Sequence, residues 1–397
     1  MRFRYIVGIL SCKMPTMYRR SLELPATSFF LFGPRATGKT TWLRQVLPSA
    51  HWCDLVPSET YIRYLREPSL FRREVEALPA DTWVVVDEVQ KVPALLDEVQ
   101  ALISSHGKRH RFALSGSSAR KLKRLDANLL AGRVVNRSFF PLTMAETGFS
   151  VTIDEILRTG LLPGVRGEPA AAEDVLEAYA ANYVHQEIQQ EALTKDLPGF
   201  ARFLRVAALL NGQSVSANNV ANEAAVARST VQRYFQILVD TLIGVMVPAW
   251  QPRLKVREVA HPRFYFFDAG VARAVAGRMR ASVHEQERGA LLETWVLHEL
   301  RAHMQFARTG GEVQWYRTGA GAEVDFVWRG PRHAVGIEVK ASERWRGESG
   351  AVLREMLAKQ TIRSACAVYL GDRALNDGGI LVLPARQFAE RLGELLA

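Results

Sequence analysis

The feature that most constrains the fold of this chain is a glycine-bearing loop between an apolar run, residues 29–32, and a helical pattern. The spacing G-x-x-x-x-G-K-T predicts a phosphate-binding loop. Glycines let successive backbone N–H groups face one anion, and the N-terminus of the following helix adds its positive end. The predicted ATP-binding residues are Gly33, Pro34, Arg35, Ala36, Thr37, Gly38, Lys39, Thr40 and Thr41.

Two side chains of this loop have separate expected roles. The ammonium of Lys39 is long enough to reach the β- and γ-phosphates, and the hydroxyl of Thr40 is a suitable Mg²⁺ ligand. The expected cofactors are therefore ATP and Mg²⁺.

A second apolar run, Trp83 to Val86, ends in the adjacent carboxylates Asp87 and Glu88. The run is too uniform for a strand with one solvent face, and it predicts a buried parallel strand. At the end of such a strand, Asp87 is placed to hold Mg²⁺ through water, and Glu88 to orient and polarise an attacking water. Two acids at the start of a surface loop are the alternative.

A third predicted strand, residues 111–114, leads into a run of hydroxyl residues. A hydroxyl there would sense the γ-phosphate or position the water. Ser115 is the first candidate and Ser117 the second, and ordinary turn serines are the alternative.

The composition is that of a globular protein with more than one domain. The 397 residues are 48% apolar and 23% charged, which predicts two or three domains. Apolar runs stay short of the ~20 residues that span a bilayer, so no membrane association is expected. The cysteines Cys12, Cys53 and Cys366 are scattered, which favours a reducing cytoplasm without disulfides. Residues 1–16 are predicted to be disordered or to precede the true start at Met17.

The formal net charge of +10 favours acidic partners, DNA above all. The basic runs at 108–111 and 120–124 lie near the proposed nucleotide-sensing loop. Solvated surface charge is the alternative interpretation of these runs.

Residues 17–150 alternate strands and helices and form the predicted P-loop domain, whereas residues 151–280 are predicted to be a helical and winged-helix region. A helix-turn-helix is expected from helices at 218–223 and 229–238, with Ser229 as N-cap, followed by wing strands at 245–250 and 264–267. The predicted DNA-binding residues are Arg228, Thr230, Gln232 and Arg233. A packing or protein-contact module is the alternative.

Residues 281–397 return to a mixed α/β pattern. Asp325 lies in an alternating strand, Glu338 and Lys340 share one face of the next strand, and Glu293 lies on a predicted helix. If the strands pair as a hairpin, these residues converge on a sheet edge. They would then hold a second Mg²⁺ or a Mn²⁺ for phosphodiester hydrolysis. An exposed hairpin with paired charges is the alternative.

Several segments resemble predicted AAA+-superfamily ATPases of bacteria and archaea that carry a winged-helix segment and a PD-(D/E)xK nuclease-like domain. These are Asp87 to Pro93, Leu130 to Arg133, Pro141 to Thr143 with Glu146, and Gly160 to Pro163. The resemblance implies that Lys39 and Thr40 bind phosphate and Mg²⁺, that Asp87 supports the metal and that Glu88 is the catalytic base. It also implies that Arg133 neutralises transition-state charge, in its own chain or a neighbour's, with a structural salt bridge as the alternative. The C-terminal residues Glu293, Asp325, Glu338 and Lys340 match the nuclease motif.

The predicted fold class is α/β, with an N-terminal P-loop parallel-sheet ATPase domain, a helical and winged-helix middle and a C-terminal restriction-endonuclease-like α/β domain. The predicted function is Mg²⁺-dependent ATP hydrolysis, acting on or regulated by DNA, with a nuclease-like domain. The alternative is a non-hydrolysing ATP-dependent switch that binds a protein partner through its C-terminal regions. Oligomerisation is left open.

Overall fold

The computed structural model describes residues 18–117, 130, 132–184, 196–251, 261–317 and 321–397. The predicted disordered start at 1–16, Cys12 and the basic run 120–124 lie outside these residues. The fold is α/β, as predicted, with a parallel sheet, a mainly helical middle and a mixed sheet in chain order.

The N-terminal sheet has five parallel strands in the order β2-β3-β4-β1-β5. Because all five run the same way, the loops that follow β1, β3 and β4 meet at one edge of the sheet. The strands are β1 (Phe29–Phe32), β2 (His51–Asp54), β3 (Trp83–Asp87), β4 (Arg111–Gly116) and β5 (Val135–Ser138).

Both faces of this sheet are covered, which explains why its strands are uniformly apolar. Phe29 and Leu31 pack with Trp42 and Leu43 on one face. Phe30 packs on the opposite face with residues of β3, β4 and the helix that follows β3. The helices of this unit are α1 (Lys39–Val46), α2 (Ser58–Arg66), α3 (Ser69–Glu76) and α4 (Leu95–His106).

The middle region is mainly helical. Its helices are α5 (Ile153–Thr159), α6 (Pro163–Gly167), α7 (Ala172–Ala178), α8 (Leu197–Leu209), α9 (Ala217–Ala224), α10 (Arg228–Asp240) and α11 (Ala269–Val275). Helices α9 and α10 are joined by a short turn in which Ala225 adopts a left-handed conformation. Two antiparallel strands, β6 (Gly244–Val247) and β7 (Arg263–Phe266), follow α10.

One detail of the predicted helix-turn-helix is wrong. Helix α10 begins at Arg228, and its N-cap position is Ala227, which offers no side-chain cap. Ser229 therefore lies inside the first turn instead of capping the helix. A capping serine is favoured by propensity but not required, because water can satisfy the first N–H groups of an exposed helix end.

The C-terminal unit begins with the long helix α12 (Glu285–Ala307) and contains a six-stranded mixed sheet in the order β12-β13-β11-β10-β9-β8. The predicted hairpin is present, with Phe326 opposite Ile337 in an antiparallel register. The remaining elements are β8 (Glu312–Arg317), β9 (Glu323–Arg329), β10 (Ala334–Lys340), α13 (Ala351–Ala358), β11 (Ser364–Tyr369), β12 (Leu375–Asp377), β13 (Ile380–Pro384) and α14 (Ala385–Leu395).

One hydrophobic core runs through both the middle region and the C-terminal unit. It includes Phe203 and Phe264 of the middle region together with Trp295, Phe326 and Phe388 of the C-terminal unit. The boundary predicted at residue 280 therefore does not coincide with a gap in the core.

None of the helices in the described parts of the chain combines the length and apolarity that crossing a bilayer requires. The thiols of Cys53 and Cys366 are free and buried.

Candidate nucleotide site and its surroundings

The loop predicted to bind phosphate lies at the carboxyl edge of the parallel sheet, between β1 and α1. Gly38 has φ +89° and stands at the N-cap of α1, so the chain turns there through a conformation that favours glycine. The hydroxyl of Thr37 donates a 2.8 Å hydrogen bond to the carbonyl oxygen of Pro34, and this bond within the loop stabilises its conformation. The loop thus leads directly into a helix N-terminus, which is the arrangement that attracts phosphate groups.

Lys39 is buried, and its ammonium is held by the loop itself. The Nζ atom donates to the carbonyl oxygens of Gly33 at 2.7 Å and Pro34 at 3.0 Å. Burial lowers the pKa of Lys39 to about 8, although the carboxylates of Glu88 and Asp87 act in the opposite direction. A buried cation at the start of a helix is suited to binding an anion that replaces its lost hydration.

Asp87 and Thr40, which are both predicted to bind the metal, lie in direct contact. The Thr40 hydroxyl donates a 2.7 Å hydrogen bond to Oδ2 of Asp87, and the Ser115 hydroxyl donates to Oδ1 of the same carboxylate. Burial raises the pKa of Asp87, while the hydrogen bonds from Ser115 and Thr40 act in the opposite direction. A hydroxyl and a carboxylate on adjacent elements form a hard-oxygen pair that fits Mg²⁺, a cation that usually takes few protein ligands.

Ser115 is fully buried beneath the two carboxylates and lies within β4, not in the loop after it. Besides donating to Asp87, its hydroxyl accepts a 3.1 Å hydrogen bond from the backbone N–H of Glu88. The Ser115 hydroxyl is therefore hydrogen-bonded to both acidic residues, Asp87 and Glu88, and orients them.

Glu88 is held by two side chains that the sequence pattern did not single out as its partners. The Gln90 side-chain amide donates to Oε2 of Glu88 and, at 3.0 Å, to the hydroxyl of Ser117. Ser117 in turn donates to Oε2 of Glu88 at 3.3 Å. Glu88 itself has φ +58°, an uncommon left-handed conformation for a residue with a side chain.

Gly33 is required by packing as well as by the curvature of the loop. A Cβ atom at this position would lie 2.3 Å from the carbonyl oxygen of Phe139, far inside van der Waals contact. The segment after β5 therefore presses directly against the loop, which the spacing of the motif could not reveal.

Arg20 joins this loop to the segment after β5. Its Nη1 donates to the carbonyl oxygen of Thr37 at 2.8 Å, and its Nη2 donates to that of Phe140 at 2.7 Å. Nε lies 3.1 Å from Oε2 of Glu146, and the guanidinium stacks 4.1 Å from the ring centre of Phe139. Burial lowers the pKa of Arg20, and Glu146 opposes that shift.

The same segment also contacts the C-terminal unit. Glu299 on α12 accepts hydrogen bonds from the Met144 backbone N–H at 2.7 Å and the Trp295 indole N–H at 3.1 Å. Nε2 of His298 lies 3.0 Å from the carbonyl oxygen of Leu142. Arg20 therefore contacts both ends of one short stretch, residues 140–146, and α12 contacts the middle of the same stretch.

The middle region touches the phosphate loop as well. The Tyr179 hydroxyl donates to the carbonyl oxygen of Arg35 at 3.3 Å. A Cβ atom on Gly38 would lie 3.7 Å from the Pro163 ring at the start of α6. The loop is therefore in contact with the middle region directly, and with the C-terminal unit only through residues 140–146.

Arg133 does not lie at the phosphate loop of its own chain. It precedes β5, at the amino ends of the parallel strands, whereas the loop follows their carboxyl ends. Its Nη1 donates to the Ser104 hydroxyl at 2.9 Å near the end of α4, and its side chain is exposed. The role in its own chain that the resemblance implied is therefore wrong, because four strand residues already span about 13 Å.

The four predicted nuclease residues lie close together, and a fifth side chain, that of Arg263, forms ion pairs with two of them. Oδ2 of Asp325 accepts a 2.9 Å hydrogen bond from the Val339 backbone N–H, and Glu338 pairs with Lys340. Arg263 on β7 forms ion pairs with Asp325 and with Glu293. Among the described residues, no group of three or more His, Cys, Asp or Glu side chains is arranged to hold a metal ion.

Of the predicted DNA-binding residues, Arg228, Gln232 and Arg233 are exposed on α10, and Thr230 is half-buried. The opposite face of the helix is buried through Val231 and Phe235. The exposed face is polar and basic.

Three families match successive parts of the chain. Residues 26–148 match a family described as an AAA domain. Residues 151–282 and 288–388 match two domains of unknown function, DUF8612 and DUF4143. Two uncharacterised proteins, from Mycobacterium bovis and Mycobacterium tuberculosis, are each 26% identical over 390 residues, which is 96% of this chain and 85% of theirs.

Solved structures resemble the chain only distantly. A STAND-type signal transduction ATPase with a tetratricopeptide repeat sensor from Pyrococcus horikoshii is 14% identical with a TM-score of 0.21, and the match covers 72% of this chain and 46% of that one. A DNA polymerase III gamma subunit-related protein from Thermotoga maritima is 10% identical, with a TM-score of 0.23 and coverage of 69% and 80%. A Vibrio cholerae protein is 13% identical, with a TM-score of 0.22 and coverage of 94% and 98%.

The parallel sheet, the loop geometry and the family match agree on the class of the N-terminal part. Residues 26–148 match the AAA domain family and form a parallel sheet with a glycine-bearing loop between β1 and α1.

Proposed function

We propose that the protein is a Mg²⁺-dependent ATPase that binds ATP at loop 33–41 and hydrolyses it. The observation that carries this proposal is the 2.7 Å hydrogen bond between Thr40 and Asp87, beside the buried ammonium of Lys39. A hydroxyl and a carboxylate this close are the protein oxygens that P-loop sites use for Mg²⁺, the other ligands being water and phosphate oxygens.

Each residue of the site then has a defined task. Lys39 binds the β- and γ-phosphates, while Thr40 and Asp87 hold the metal. Ser115 fixes the orientation of Asp87, and Glu88 orients a water and accepts its proton. Bound Mg²⁺ would supply charge neutralisation on the triphosphate.

The C-terminal regions are proposed to respond to the nucleotide through residues 140–146. That stretch contacts the loop through Arg20 and Phe139 and contacts α12 through Glu299. A shift of the loop on binding ATP would change these buried hydrogen bonds, which are costly to leave unsatisfied. For Arg133, charge neutralisation is proposed only at the site of a neighbouring subunit.

Steady-state turnover of ATP tests the proposal. Lys39→Ala and Glu88→Gln should reduce hydrolysis at least a hundredfold, whereas Lys108→Ala, an exposed lysine at the far edge of the sheet, should leave it unchanged. Hydrolysis that survives both site substitutions would refute the enzyme proposal. Tight ATP binding by a wild-type protein that does not hydrolyse it would instead support the non-hydrolysing switch with a protein partner.

A second proposal is that DNA is the regulating partner, bound through α10. The supporting observation is the exposed row of Arg228, Gln232 and Arg233 opposite a buried face. Duplex DNA should then bind with an affinity that falls as salt rises, and Arg228→Ala with Arg233→Ala should reduce the salt dependence. An unchanged salt dependence in the double variant would exclude this face as the DNA site.

A further inference from the structure

Arg263 forms ion pairs with Glu293 and Asp325, two of the three carboxylates that the sequence predicted as a metal site. Its Nη1 lies 3.1 Å from Oδ1 of Asp325 and 3.5 Å from Oε2 of Glu293, and its Nη2 pairs with Glu323. The guanidinium also lies 4.6 Å from the ring centre of Trp315, and its side chain is only 8% exposed. We name Arg263, Glu293, Glu323 and Asp325 the Arg263 cluster.

Each carboxylate of this cluster already has hydrogen-bond or ion-pair partners. Oε2 of Glu293 accepts a 2.7 Å hydrogen bond from the Tyr265 hydroxyl as well as facing Arg263. The two oxygens of Asp325 are divided between Arg263 and the Val339 backbone N–H. Burial lowers the pKa of Arg263, but Tyr265 and the three surrounding carboxylates outweigh it and raise that pKa overall.

A divalent cation does not fit this arrangement. Mg²⁺ and Mn²⁺ need carboxylate oxygens that can point at one shared position, and the guanidinium already lies between Glu293 and Asp325. Placing a second cation beside a buried arginine would add charge repulsion in a region of low dielectric.

The cluster also joins two parts of the chain. Arg263 begins β7, within the segment that matches the first domain of unknown function, whereas its three carboxylate partners lie in the segment that matches the second. We propose that Arg263 is the resident cation of this cluster and that the cluster is an ion-pair joint between the middle region and the C-terminal sheet, in place of a divalent-cation site.

A double-mutant cycle on thermal unfolding tests the joint. Arg263→Met and Asp325→Asn should each lower the unfolding midpoint by roughly 5–10 °C, because the first leaves buried carboxylates without their cation and the second removes one of the three carboxylates that balance the buried guanidinium. The double variant should lose clearly less than the two losses added together. Arg317→Met, which removes a half-exposed partner of Glu323, is the control and should shift the midpoint little. Strictly additive losses would contradict the proposal that Arg263 and Asp325 form an ion pair that joins the two regions.

Binding of Mn²⁺ without nucleotide tests the second claim of the proposal, that the Arg263 cluster is not a divalent-cation site. This test does not depend on the stability of the Arg263 variant. Free Mn²⁺ is followed by electron paramagnetic resonance in the Asp87→Asn protein, which removes the predicted metal ligand of the phosphate loop. Adding Asp325→Asn should leave the binding curve unchanged. A Mn²⁺ site that disappears with Asp325→Asn would overturn the proposal. Because neither measurement involves ATP, both are independent of the ATPase proposal.

Discussion

The guanidinium of Arg20 donates a 2.8 Å hydrogen bond to the carbonyl oxygen of Thr37, the residue that precedes the second glycine of the phosphate loop. The same side chain binds the carbonyl of Phe140 and faces the buried carboxylate of Glu146. One buried arginine therefore fixes the position of the loop relative to the segment that contacts helix α12.

Replacing Arg20 with methionine should destabilise the protein by about 3–5 kcal/mol, because Glu146 would remain as an unpaired buried charge. Urea unfolding measures the loss. Adding Glu146→Gln should recover part of it, and Arg19→Met, at an exposed neighbouring position, should cost little. A loss below about 1 kcal/mol for Arg20→Met would contradict the structural role of the buried pair.

Gln90→Ala should lower kcat for ATP about tenfold and leave KM nearly unchanged, because the amide of Gln90 positions the Glu88 carboxylate. The matched test combines the substitution with Glu88→Gln. If Gln90 acts through Glu88, then Gln90→Ala has no further effect in that background. Equal effects in both backgrounds would show that Gln90 acts elsewhere.

Affinity for Mg·ATP should fall as the pH is raised above about 8. Burial lowers the pKa of Lys39 to about 8, so the free protein loses the proton there, whereas bound phosphates would favour the charged form. Calorimetric dissociation constants should be flat below pH 8 and weaken by up to about tenfold per pH unit above it. Lys39→Arg keeps its charge and should remove this dependence. A wild-type constant that stays flat to pH 9.5 would contradict the assignment.

Glu299→Gln should stabilise the protein at pH 8 and above relative to wild type. Burial raises the pKa of Glu299 from 4.5 to about 8, so its stabilising contribution is complete below pH 4.5 and is lost as the pH rises through 8. Glutamine can still accept both hydrogen bonds, from Met144 and Trp295, without carrying the charge. Unfolding curves between pH 5 and 9 measure the difference, and Glu285→Gln at the exposed start of α12 is the control. Parallel curves for wild type and Glu299→Gln would show that Glu299 does not titrate in this range.

Local patterns were sufficient to predict the strand, the loop and the helix around Lys39. These features depend on residues close in sequence or on the geometry common to parallel sheets. Arg20 could not be predicted, because its partner Phe140 is 120 positions away and no spacing marks the contact. Gln90 lies two residues after Glu88, within the stretch that carried the family resemblance, yet only the structure shows the direction of its amide.

The C-terminal carboxylates show a different limit of prediction from sequence. The alternation in β9 and β10 correctly predicted that Asp325 and Glu338 come close together. The cation among these carboxylates comes from Arg263, 62 positions before Asp325 in a different region of the chain. The spacing of the carboxylates does not specify which cation lies between Glu293 and Asp325, so a metal and an arginine were indistinguishable from the sequence.

The central claim is that loop 33–41 binds a triphosphate through Lys39, and isothermal titration of wild-type protein with Mg·ATP tests it most directly. The account predicts saturable binding at one site per chain, and at least a tenfold weaker constant for Lys39→Ala when that variant unfolds at the same temperature as wild type. Equal binding by the two proteins, or no heat from folded wild-type protein up to millimolar nucleotide, would contradict it.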